Sequence, residues 1–191
     1  MIEDQNRCMA LAEPLLQDVH DAWHHAFGEY LKYPAEFTAE HDDTTAANCI
    51  RSHMWKEVTR RFAGRKRCKL IRMRGLNLLL HRDELVFRFK KVDGAGRHRN
   101  YQTQQQEDFD DQLPLPELPP EAVRLTSGYQ PDFAGQSIER IIVARPIRRS
   151  IAWAAQVNVT DGAASWVDIT PARLPGTEHM DYRGRKSAPG D

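Results

Sequence analysis

Residues 76–92 read LNLLLHRDELVFRFKKV. Leu85, Phe87 and Phe89 alternate with Val86, Arg88 and Lys90, the two-residue period of a β-strand. The run LNLLLH before them is a second short apolar segment, and Arg82-Asp83 makes a tight connection, so the stretch predicts a hairpin with Arg88 and Lys90 on a basic solvent face. Just upstream, CKLIRMRG (68–75) predicts a further strand. Downstream, VRLTSGYQ (123–130), SIERIIVARPI (137–147) and IAWAAQV (151–157) do the same, and SWVDIT (165–170) is a candidate edge strand.

Ahead of these strands the period changes to that of a helix. Leu15, Val19, Trp23, Ala26 and Tyr30 form one apolar stripe, predicting a helix over 13–32. After Pro34 and a polar run, Asp43 or Thr44 can cap a second helix ending at Phe62 and Gly64, with Ala47, Ile50, Met54, Val58 and Phe62 on its apolar face. Between the two groups of strands, GAGRHRN (94–100) reads as a loop and Thr103 can cap a short helix over 104–112. The proline-rich segment 113–121 reads as an extended connector. The expected fold is α+β: two N-terminal helices on one face of a mainly antiparallel sheet of about five to six strands, with a short helix between strand groups. Short connections argue against a parallel sheet, which needs long crossovers. Residues 1–170 form one domain on this reading, and 171–191, rich in Pro, Gly and charge, a flexible tail.

The chain has 191 residues with 27 basic and 27 acidic side chains, so its net charge is zero. The charges are nevertheless segregated along the sequence. Residues 1–50 hold two basic and ten acidic residues (−8), 51–100 hold sixteen and four (+12), and the remainder hold nine and thirteen (−4). Eight Lys or Arg fall in the fifteen positions from Arg60 to Arg74. Such asymmetry points to an anionic partner. The candidate binding residues are Arg65, Lys66, Arg67, Lys69, Arg72, Arg74, Arg88, Lys90, Lys91, Arg97 and Arg99. On a strand, Lys66, Cys68, Leu70 and Arg72 would face one way and Arg67, Lys69, Ile71 and Met73 the other. Two structural readings compete: the cations protect a sheet edge, or the acidic N-terminal region folds against the basic block and neutralises it. Phe62, Phe87 and Phe89 read as core residues and not as base-stacking platforms.

Other chemistry is thinly represented. His20-Asp21-Ala22-Trp23-His24 resembles the zinc-protease motif His-Glu-x-x-His with Asp in place of Glu. With Val19 at zero, the two His lie at about 100° and 140° on the helix, one shoulder as chelation requires. Asp reaches a metal-bound water poorly, and no downstream segment offers an obvious third ligand on a helix, with His53, His81 and His98 the remaining candidates, so no metal and no cofactor are expected. Phosphate-binding loops and nucleophile elbows are absent. Cys8, Cys49 and Cys68 form no Cys-x-x-Cys pair, and with no secretory leader or apolar membrane span the expected location is a reducing cytoplasm.

Phe89-Lys90-Lys91, Thr103-Gln104-Gln105, Gln112-Leu113-Pro114 and Gly128-Tyr129 resemble an uncharacterised family of small bacterial proteins over about residues 76–157. Such proteins are encoded beside helix-turn-helix regulators, some joined to a metallopeptidase-like domain, in a toxin–antitoxin-like arrangement. The resemblance implies a context and carries no catalytic residue. It makes the expected function that of the effector half of a two-gene toxin–antitoxin or phage-defence module. The expected partner is a cognate antitoxin-like protein or another acidic surface, with DNA or RNA as a further candidate. The alternatives are a metal-dependent hydrolase using His20 and His24, and an adaptor whose charges neutralise one another.

Overall fold

The computed structural model describes residues 2–73, 75–98, 104–147 and 150–172. Arg74, Arg99, Thr103 and the expected tail beyond residue 172 lie outside the described residues. The chain opens with α1 (Ile2–Leu31), a four-residue α2 (Ala35–Thr38) and α3 (Asp43–Phe62). The stripe read from Leu15 onward continues backward through Ala12, Met9 and Cys8, all buried, so α1 runs through Pro14 and does not start there. An interior proline costs a helix one hydrogen bond; here the buried stripe on both sides holds the helix together. The cap of α3 is Asp42, whose side chain accepts from the Thr45 amide at 2.7 Å.

Seven strands form one mixed sheet in sequence order: β1 (Cys68–Met73), β2 (Leu76–His81), β3 (Leu85–Lys91), β4 (Val123–Pro131), β5 (Ile138–Ile147), β6 (Ser150–Thr160) and β7 (Ala163–Asp168). The fold is therefore α+β, with seven strands where about five to six were expected. The β2–β3 connection, Arg82 to Glu84, turns through Arg82 and Asp83 at φ 56° and 58°, the left-handed central pair of a turn closed by Glu84 N on His81 O. Every neighbouring pair is antiparallel except β3–β4, which run parallel from Leu85↔Val123 to Lys91↔Tyr129. The one long connection in the sheet, residues 92–122, is what makes that parallel pair possible. It contains α4 (Gln104–Asp110) and the proline-rich segment. That segment is not extended: Leu118 N bonds Leu115 O and Ala122 N bonds Pro119 O, folding it into tight turns.

Both faces of the sheet are covered. On the front, α1 and α3 press Trp23, Ile50, Met54 and Phe62 onto Leu79, Phe87, Phe89, Leu125, Tyr129, Val143 and Trp153. The N-terminal end of α1 is tied to the far strands. Asp4 accepts from Arg145 and from Trp153 Nε1, and Gln5 Nε2 donates to Ala154 O and Asp168 Oδ1. On the back, Phe109 of α4 with Leu115 and Leu118 of the connector covers Leu78, Leu80 and Val86. A third apolar patch, Val92, Ile142, Ala144 and Ala154, sits under the 93–98 loop. Gly96 lies so close there that a Cβ would come within 2.7 Å of Ala144 Cβ.

Candidate functional site

The basic residues do not form the single exposed face expected of them. β1 starts at Cys68, so Lys66 and Arg67 belong to the turn before it, and Arg67 has φ 66°. Lys66, Arg67, Lys69 and Arg72 are exposed along the outer edge of the sheet, where, among the described residues, β1 has a neighbour on one side alone. Lys69 pairs with Asp83 at 2.9 Å, and the Arg72 guanidinium lies over the Trp55 ring, 5.6 Å from its centre. Lys91 and Arg97 gather at the other end of β3, on Asp43 (3.4 Å) and Asp93 (3.0 Å). Lys69, through Leu80, stands level with Val86 near the start of β3, whereas Arg72, through Asn77, stands further toward the Lys91 end. The block is thus spread along the sheet and is not one face.

Much of the block is answered from within. Asp18 of α1 accepts from Arg61 and Arg65, and Arg65 Nη2 also donates to Pro14 O. Glu57 receives Arg60 and Arg61 and lies within 3.4 Å of His25. Its carboxyl is held below the usual range, first by the Arg60 hydrogen bonds, with burial opposing. The acidic helical region and the basic block therefore meet in part, at Asp18 and, through Lys91, at Asp43, while Glu57 answers Arg60 and Arg61 from within the basic segment itself.

The largest correction concerns Arg88 and Lys90, read as solvent-facing and found 2% and 6% exposed. Their strand is central, and the crossover covers the face they point to. Arg88 Nε donates to Thr126 Oγ1 at 2.9 Å, Nη2 donates to Asp110 Oδ1, and the guanidinium stacks on Phe109 at 4.6 Å. His98 Nε2 meets the other Asp110 oxygen at 3.1 Å. Beside them, buried Arg124 donates through Nη1 to Asp108 O, while the side-chain amide of Gln112, a residue at φ 57°, donates to Arg124 O and Pro146 O and accepts from Arg124 N. Burial pushes the Lys90 ammonium down to about 8, with Arg88 and Arg51 adding repulsion and Asp110 opposing it. Asp110, 2% exposed, is the buried anchor of the back face. A charged residue flanked by Phe87 and Phe89 in a strand with two covered faces was the signal that a buried counter-charge was needed.

His20 and His24 lie on one shoulder of α1 with ring centres 4.6 Å apart, facing a polar groove shared with Glu139, Arg140, Gln156 and Asn158. His20 Nδ1 lies 3.4 Å from Asp21 Oδ1. Burial, then His20, lowers the His24 pKa. Among the described residues no three His, Cys, Asp or Glu side chains are grouped to hold a metal.

A pairing the sequence did not show is Cys68 with His81, neighbours across β1–β2 with Sγ and Nδ1 3.5 Å apart. Burial raises the Cys68 thiol and lowers the His81 imidazole, so the pair rests neutral and not as a reactive thiolate. Cys8 is buried with its thiol pushed up to about 12. Phe62, Phe87 and Phe89 are buried, as their spacing implied. No helix among the described residues is long and apolar enough to cross a membrane. The chain matches no protein-family model, no curated protein and no solved structure.

Proposed function

We propose that this chain is a binding protein, the effector half of a bacterial two-gene toxin–antitoxin or phage-defence module, and that it engages an acidic protein partner at the β1 edge. The observation that carries the reading is that edge. β1 is paired on one side, and Lys66, Arg67, Lys69 and Arg72 stand exposed around its open side. An open strand offers main-chain donors and acceptors to an added strand, and the surrounding cations select an acidic one. Phe62, Phe87 and Phe89, which flank the basic block in sequence, are in the core, which favours a protein over single-stranded nucleic acid at this edge. The adaptor reading gains support from the Asp18 and Glu57 pairings, and the two readings separate on toxicity.

The test is expression of the chain in a bacterial host with and without the product of the gene beside it. Growth inhibition by the chain alone, relieved by the neighbour, supports the effector role; harmless expression alone counts against it. In a pull-down with that product, Arg67→Glu with Lys69→Glu should abolish capture. Retained capture would move the interface away from β1. Salt-sensitive binding of DNA or RNA by the wild type, lost in the same variant, would replace a protein partner with nucleic acid.

A further inference from the structure

Between α1 and α3 run eleven residues, 32–42, none of them buried. The connection is nevertheless held in place. Tyr30, at the end of α1, stacks on the His41 ring, and its Oη lies 3.1 Å from His41 Nδ1. Tyr33 Oη lies 2.9 Å from Nε2 of His53 on α3. Backbone turns from Lys32 N to Glu29 O, Tyr33 N to Tyr30 O and Phe37 N to Pro34 O fold the segment on itself.

On this fixed connection three large apolar side chains stand in water: Leu31 is 43% exposed, Tyr33 36% and Phe37 58%. The short helix α2, which carries Phe37, buries no residue at all. Apolar side chains scattered singly over a surface are ordinary, but three within seven residues form a patch that needs an occupant. A segment already held in shape also spares that occupant the cost of ordering it.

The surrounding charge selects the occupant. Residues 29–43 carry Glu29, Glu36, Glu40, Asp42 and Asp43 against a single Lys32. Glu29 pairs with Lys32, Asp42 caps α3, and Asp43 lies 3.4 Å from Lys91. Glu36 and Glu40, on either side of Phe37, are exposed and have no partner among the described residues. Two unanswered carboxylates beside the patch repel an anionic lipid surface and a second copy of the same surface, and they attract a cationic chain.

We propose that the 31–40 surface docks a basic amphipathic segment of a partner protein, with its apolar side chains against Leu31, Tyr33 and Phe37 and its Lys or Arg on Glu36 and Glu40. This surface is separate from the β1 edge and opposite to it in charge.

The probe is a fluorescein-labelled amphipathic helix of leucine and lysine, titrated with the full chain and followed by anisotropy beside a leucine–glutamate counterpart. The expected result is saturable binding of the lysine peptide, weakened by salt, and none of the glutamate peptide. Phe37→Ser and, separately, Glu36→Lys with Glu40→Lys should each weaken binding about tenfold or more. All three positions are exposed, so folding survives these changes. Leu113→Ser, at an exposed apolar position of the back-face connector, should bind as wild type. Arg67→Glu with Lys69→Glu should not weaken binding, which separates this surface from the β1 edge. The absence of saturable binding, or binding indifferent to Phe37→Ser, overturns the proposal. So does a dimer in sedimentation equilibrium that Phe37→Ser dissolves, because the occupant would then be a second copy.

Discussion

The two faces of the sheet are closed by different physics. The front is an apolar contact between helix stripes and strand rows, with aromatic rings at its centre: Trp23 packs against Phe89 and Tyr129 and its one polar atom donates to Ser127 Oγ at 3.0 Å. The back carries apolar patches at both ends and, between them, the charged set Arg88–Asp110–His98. Apolar packing is distributed, so its loss scales with the volume removed. A buried ion pair is all-or-none: the intact pair contributes little over an apolar replacement, but an orphaned member is costly. The front therefore supplies the bulk of the adhesion, and the back fixes where the crossover docks.

Substitutions can break that contrast. Trp23→Ala should cost the most, about 3–5 kcal/mol, read as a lower midpoint in denaturant unfolding. Asp110→Ala should cost about 3 kcal/mol by orphaning Arg88, whereas Arg88→Met combined with Asp110→Leu should recover most of that loss. Equal losses in the single and double variants would mean that the back face is ordinary packing. Gly96→Ala should cost about 1–3 kcal/mol, because the new methyl meets Ala144 at 2.7 Å in a residue with φ 79°. Thermal melts of that variant measure how tightly the loop is pressed down.

Acidity sharpens the comparison further. The folded-state pKa of Lys90, about 8, lies below its ordinary 10.5, so the unfolded chain binds more protons between those values. Stability should therefore rise with pH across that window, and at lower pH the buried ammonium imposes its full cost. The difference in unfolding free energy between wild type and Lys90→Met should change by about 3 kcal/mol from pH 7 to 10.5; a constant difference would contradict a buried ammonium. Smallest of all, Arg67→Ala with Lys69→Ala at the exposed edge should shift stability by no more than about 0.5 kcal/mol.

Periodicity showed most of the front face. The stripes from Leu15 to Tyr30 and from Ala47 to Phe62 mark residues that are packed on the sheet, and the alternation of Leu85, Phe87 and Phe89 marks its inner row. Pro14 hid the first turns of α1, because a local breaker was overridden by contacts of Asp4 and Gln5 with strands far along the chain. The back face was hidden for a related reason. Alternation alone does not distinguish a wet face from one covered by a distant segment, and Arg88 and Lys90 took the wrong label for that reason. The candidate edge was only half legible: Lys69 and Arg72 could be placed on a strand, but β1 being outermost is a property of the whole sheet order.

The attachment of the first helix to the last strands also sets a timetable. Gln5 cannot find Asp168 until 163 more residues exist, and at roughly 5–20 residues per second on the ribosome that is a wait of about 8–30 s. Through that interval the sheet that covers Met9, Leu16 and Trp23 is incomplete. The newborn chain thus displays a long apolar stripe first and conceals it last. A chaperone or a co-translated neighbour has its best opportunity to seize the protein before β7 is made.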